Sequence, residues 1–128
     1  MYSKAACNIV HHIAALPSHY QNHIPSGAHG INFFVGHGCY SMIGYVPGAN
    51  NGQGISVGRG CNKVGVITHE IAHALGMWHE QSRPEASNHI RIVARNIIPH
   101  YLSNFLTRHK DEMIDLGTPY DLGSVMHY

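Results

Sequence analysis

A chain of 128 residues with 44% hydrophobic residues is sized for about one domain with its own core. Its formal charge of +1, with only 12% charged residues, gives no electrostatic reason to expect nucleic acid or a membrane surface as a partner. No run of about 18 apolar residues is present to span a bilayer, and the opening MYSKAACNIVHH lacks the apolar core of an export signal.

In chain order, residues 8–13 and 31–35 (INFFV) are short β-branched or aromatic runs and are expected to be strands. Between them SHYQNHIPSGAHG reads as a polar loop. Residues 39–44 (CYSMIG) are a third strand candidate, and 46–54 (VPGANNGQG) have the composition of a turn. Residues 55–57 alternate apolar, polar, apolar, as a half-buried or edge strand would. A helix is expected from about Asn62, an acceptable N-cap, with Val64, Ile67, Ile71, Ala74 and Leu75 at helical spacing. Gly76 ends it, because glycine best tolerates the left-handed conformation that follows a helix. Beyond Pro84 the pattern weakens: apolar clusters in 90–106 are broken by Pro99, and Gly117-Thr118-Pro119 is a further turn. Strands first and then a central helix suggest α+β or mixed α/β. The 14 glycines fit a loop-rich chain rather than a helical bundle.

Two residue types stand out. The 13 histidines raise the expectation of a metal, although His11, His12, His19, His23, His29 and His109 are expected to be ordinary surface residues. Cys7, Cys39 and Cys61 are an odd count, so one disulfide and one leftover thiol are expected. None lies in a CxxC pair, which argues against a cysteine zinc knuckle.

The expected helix contains His69-Glu70-Ile71-Ala72-His73, an H-E-x-x-H pattern. Residues four apart share a helical face, so His69 and His73 can converge on one ion. Glu70 can reach a water on that ion, whose pKa zinc lowers to about 7, and therefore reads as a general base and not as a ligand. In a histidine-rich chain this pattern alone is a moderate signal. Gly76 and His79 extend it to H-E-x-x-H-x-x-G-x-x-H, the long zinc-binding pattern of the metzincins. The glycine lets the chain turn and bring His79 back to the ion, and three neutral imidazoles leave one position open for water. Downstream, Ser124-Val125-Met126-His127-Tyr128 resembles the Met-turn, whose methionine packs under the zinc-binding imidazoles. His127 is expected to be structural.

With these residues in place the chain resembles the astacin family of zinc metalloendopeptidases, within the metzincin clan. The resemblance is close over HEIAHALGMWHEQSRPE (69–85), where Glu80 follows the third histidine. It extends to GCYSMIGY (38–45), ISVGRGC (55–61) and PYDLGSVMHY (119–128). It implies an α+β zincin domain, a twisted mixed sheet with a central zinc-binding helix. An upper subdomain would run to about residue 76, and the start of a lower one would cover 77–128 to the Met-turn. It implies one zinc per chain, held by His69, His73 and His79, with Glu70 as base and Met126 beneath. Tyr128 matches a tyrosine that serves as fifth ligand and oxyanion stabiliser. Cys39 and Cys61 match a disulfide pair, and Cys7 a cysteine whose partner lies outside this chain. Glu80 matches an acidic residue that meets the processed N-terminus. The strand near Gln53–Val57 matches the upper edge of a cleft, where an extended peptide would add as an antiparallel strand.

The chain departs from the family in Glu85-Ala86-Ser87, where an acidic residue, Arg and Asp are usual, so two charged partners are lost. Residues 14–30 hold an apparent insertion. A preceding strand and long helix, and a C-terminal subdomain after the Met-turn, are also missing from it, which implies an internal fragment of the catalytic domain. The expected activity is zinc-dependent endopeptidase hydrolysis by a secreted protein. The alternatives are a catalytically inactive zinc-binding fragment and, more distantly, a histidine-rich metal buffer holding several ions.

Overall fold

The computed structural model describes residues 30–47, 52–114 and 116–128. The expected strand over 8–13, the loop of 18–30, Cys7 and most of the expected surface histidines lie outside these residues. The chain divides into two compact units, Met1–Met77 and Trp78–Tyr128.

In the first unit, a three-stranded sheet of order β1-β3-β2 is built from β1 (Ile31–Phe34), β2 (Cys39–Ser41) and β3 (Gln53–Val57). β1 pairs with β3 in parallel, Phe33 opposite Ile55, and β2 pairs with it antiparallel, Tyr40 opposite Ser56. This corrects the edge-strand expectation for Gln53–Val57. β3 is the central strand, and both of its edges are paired. Its polar residue misled because Ser56 is fully buried and does not face water. The Ser56 hydroxyl donates to the Gly38 carbonyl at 2.8 Å, removing the cost of burying it. Gln53, expected in a turn, is likewise buried in the strand. Its side chain accepts from the Val46 amide at 3.2 Å and donates to the Met42 carbonyl at 3.1 Å, tying down the connection after β2. β2 ends at Ser41, three residues earlier than expected. At Gly44 the backbone takes a positive φ of 74°, and its amide turns to the His73 carbonyl at 2.8 Å instead of a strand neighbour.

The helix, α1, spans Val64–Ala74 and packs on β2 and β3. Lys63, not Asn62, is its N-cap, with no side-chain cap, and the Lys63 carbonyl receives the Ile67 amide. Ile67, Ala72 and Ala74 are buried with Ile55 and Cys61 in the core. Val64 and Leu75, although in register with the apolar series, are exposed at the two ends. At the C-terminus the Met77 amide bonds the Ala72 carbonyl at 2.9 Å and the Gly76 amide the His73 carbonyl at 2.8 Å. That is a Schellman closure, with Gly76 in the left-handed region at φ 97°. The expected stop therefore lies where the sequence places it, and it aims the chain sharply away from the helix axis.

A disulfide joins Cys39 at the start of β2 to Cys61 before α1, across 22 residues. Closing a loop of that length restricts the unfolded chain by about 3 kcal/mol. Reduction, or Cys39→Ala with Cys61→Ala, is expected to lower the urea midpoint accordingly; an unchanged midpoint would show that the bond adds no stability.

The second unit has no long helix among its described residues. Short 3-10 turns, Glu80–Ser82, Ala86–Asn88, Ala94–Asn96 and Pro99–Phe105, follow one another, consistent with the weakened periodicity after Pro84. Its interior is largely polar: Glu80, Gln81, Ser82 and Arg83 are buried with Ala86 and Met126. No helix among the described residues is long and apolar enough to cross a membrane.

Candidate metal centre and its surroundings

Helix α1 presents His69 and His73 one turn apart, their rings 4.5 Å between centroids in an edge-to-face arrangement. After the Gly76 reversal the chain delivers His79, and one nitrogen from each of His69, His73 and His79 lies within 4.8 Å of the others. No other group of three metal-ligating side chains of this kind occurs among the described residues.

His73 is prepared for a cation. The Nδ1 of His73 lies 2.8 Å from the Met77 carbonyl, so that nitrogen carries the proton and Nε2 keeps its lone pair. Burial lowers the His73 pKa, and the neighbouring His69 adds to that, against the opposing pull of the Met77 carbonyl. Burial therefore favours the neutral imidazole that a metal needs.

Glu70 lies in the same helix, next to His69. It is only 6% exposed, and its Oε2 is buried with no hydrogen-bond partner among the described residues. Burial raises its carboxyl above the usual carboxylate range, offset in part by His69 and by a hydrogen bond from the Ser41 backbone. A buried carboxylate oxygen left without a partner is costly unless a water or an ion completes it. Three imidazole nitrogens, with a carboxylate next to the first of them and too few hard oxygens for calcium or magnesium, fit zinc with an open position for water.

In the second unit, the residues after His79 form a polar latch onto the chain's last segment. The Glu80 amide donates to the Met126 carbonyl at 2.9 Å, and Glu80 Oε1 accepts from the Asp121 amide at 2.9 Å. Glu80, expected to receive a processed N-terminus, is thus engaged by Asp121 and by Arg83 at 3.0 Å. Arg83 also pairs with Glu85 at 2.6 Å and donates to the carbonyls of Thr118 and Pro119. Burial disfavours the Arg83 charge, but the hydrogen bond and charge of Glu80, with Glu85 adding to them, outweigh that and raise its pKa. Ala86, where the family usually carries a charged residue, is buried, and its amide bonds the Arg83 carbonyl at 3.0 Å.

Met126 is fully buried. His127 hydrogen-bonds the Tyr120 hydroxyl at 2.8 Å and the Tyr128 carbonyl at 2.7 Å, while Tyr120 stacks on His89. His127 is thereby held in place by its neighbours. The Tyr128 ring lies 4.5 Å from that of His79 and 5.8 Å from that of Phe105. His109 is an exposed residue, paired with Asp111. Sequence reasoning overlooked Gln81, Arg83 and Ser41. The first two lie inside the segment 69–85, where the ligand spacing is the dominant signal; Ser41 carries no chemical signature, because it acts through its backbone.

The family model described as Astacin, a peptidase family, matches residues 8–128. The chain is similar to the zinc metalloproteinase nas-36 of Haemonchus contortus, 61% identical over 99 residues, covering 77% of this chain and 15% of that protein. It is 56% identical over 98 residues to the nas-36 protein of Brugia malayi, covering 77% and 16%. Its fold is similar to that of high choriolytic enzyme 1, a hatching enzyme zinc-protease from the medaka fish Oryzias latipes. That match has a TM-score of 0.73 and 32% identity, and covers 99% of this chain and 63% of that one. The chain thus spans only 15–16% of the length of these two curated relatives.

Proposed function

The chain belongs to the astacin family of peptidases, and on that premise we propose that it supplies the catalytic centre of a secreted zinc endopeptidase acting on extended stretches of protein substrate. The observation that carries this reading is the buried Glu70 Oε2, without a hydrogen-bond partner among the described residues, next to the first of the three clustered histidines. A structural helix has no use for such an atom, whereas a general base must keep one oxygen free for the water it deprotonates.

In this reading His69, His73 and His79 hold one zinc ion, which when bound supplies Lewis acidity toward a carbonyl and toward water. Glu70 Oε2 accepts a proton from the attacking water and returns it to the leaving amine. The Ser41 amide keeps the other side of the carboxylate in place. Tyr128, its ring against His79, donates its hydroxyl to the developing oxyanion. Met126, fully buried, is the residue that matches the family's Met-turn methionine. Residues to about 76 then form the upper subdomain, and 77–128 begin the lower one.

The substrate strand belongs on β2 and not on Gln53–Val57, because β3 has no free edge. Among the described residues β2 leaves its outer edge open to an added antiparallel strand, and the Ser41 amide places β2 directly beside the base. Binding through backbone groups gives broad sequence tolerance. The Cys39–Cys61 disulfide supports an oxidising, extracellular setting.

Zinc content and cleavage of an unstructured protein test the whole reading together. One zinc per chain is expected, with cleavage lost on chelation and restored by adding zinc back. Cleavage indifferent to chelation, or several ions per chain, would overturn it.

A further inference from the structure

Gln81 is among the most deeply buried side chains of the second unit, 1% exposed, and neither holds a metal nor faces a substrate. A buried amide is retained only when its hydrogen bonds are made. Its Nε2 donates to the Asn104 carbonyl at 3.1 Å, and its Oε1 accepts from the Tyr128 backbone amide at 3.2 Å. One side chain therefore spans two segments, and each carries an aromatic ring at the point of attachment. Phe105 follows Asn104, and its ring meets that of Tyr128 at 5.8 Å. Tyr128 in turn leans on His79, two residues before Gln81.

The Asn104 carbonyl has a second donor, the Ser82 hydroxyl at 3.1 Å. Removing the Gln81 amide leaves that junction closed, while Tyr128 loses a bond that orients its backbone.

We propose that Gln81 is a positioning residue for Tyr128, fixing the phenol beside His79 so that its hydroxyl meets the reacting carbonyl. This rests on the oxyanion role given to Tyr128 above. The mechanism is pre-organisation: a donor that is already aimed loses no orientational freedom at the moment of reaction.

The test is a double-substitution cycle in the zinc-loaded protein, with Gln81→Met, Tyr128→Phe and both together. Methionine keeps the length and volume of glutamine but makes neither bond. Gln81→Met is expected to lower kcat roughly tenfold, leaving KM and zinc content unchanged, and to cost nothing further once Tyr128 is Phe. A general weakening of the fold would move zinc content as well. Full activity in Gln81→Met alongside a loss in Tyr128→Phe overturns the proposal and spares the role of Tyr128. Losses that multiply in the double variant also overturn it, since Gln81 then acts through another group. Full activity in Tyr128→Phe overturns both. In case Gln81→Met does not fold, hydrogen exchange of the wild-type Tyr128 amide decides independently. Protection is expected, and exchange at the rate of an unstructured peptide refutes the bridge.

Discussion

Glu70→Gln is expected to reduce kcat/KM for peptide hydrolysis by 10²–10⁴-fold, about 3–5 kcal/mol of transition-state stabilisation, while one zinc ion remains bound. The substitution separates basicity from everything else Glu70 does. Glutamine has nearly the same shape and can still accept the Ser41 amide through its carbonyl oxygen. It cannot take a proton from water. The buried position of Glu70, 6% exposed, strengthens the argument. A carboxylate shielded from solvent is a stronger base than an exposed one, and burial is the leading cause of its raised pKa. The ligands are separate side chains, so zinc content measured on the purified variant should match wild type. Activity retained in Glu70→Gln would remove the general base from this reading. Loss of zinc along with activity would instead mark Glu70 as part of the coordination sphere.

The metal centre was legible in the sequence because it is local. Four of its residues lie within eleven positions, and the geometry linking them is that of one helical turn and one glycine reversal. Such relations are set by backbone periodicity and the φ of a single residue. The structure returns both, with Gly76 at φ 97° and the two helix histidines stacked edge to face. The Cys39–Cys61 pairing was legible only through family resemblance, since cysteine counting alone leaves the partner open. What the sequence hid is non-local. Ser56 looks like a solvent-facing residue until the Gly38 carbonyl, 18 positions away, is brought against it. Read by alternation alone, the central strand passes for an edge. The polar latch was hidden for the same reason: Arg83 meets Thr118 and Pro119 across 35 and 36 residues. No periodicity announces a buried arginine.

That arginine carries the second large effect. Arg83→Met is expected to destabilise the second unit by about 3–5 kcal/mol, the usual result of removing one partner from a buried ion pair. The side chains of Arg83 and Glu80 are only 6% and 11% exposed, so water cannot readily replace the guanidinium. Glu80 would keep the Asp121 amide but lose its cation, and the Thr118 and Pro119 carbonyls would lose a donor. Uncompensated charge is the dominant part of that cost. Adding Glu80→Gln to Arg83→Met is therefore expected to recover a substantial share of the stability, although each change alone destabilises. Arg83→Lys should fall between the two. It keeps the charge but lacks the planar fork that reaches Glu80, Glu85 and two carbonyls at once. Urea midpoints of the four chains check this directly. An Arg83→Met chain within about 0.5 kcal/mol of wild type would show that the latch behaves like a solvated surface pair. The consequence for the site follows from connectivity. Glu80 adjoins His79, and its amide holds the Met126 carbonyl. Loosening Arg83 is therefore expected to act on His79 and on Met126 together, and zinc affinity should fall in step with the urea midpoint across the series.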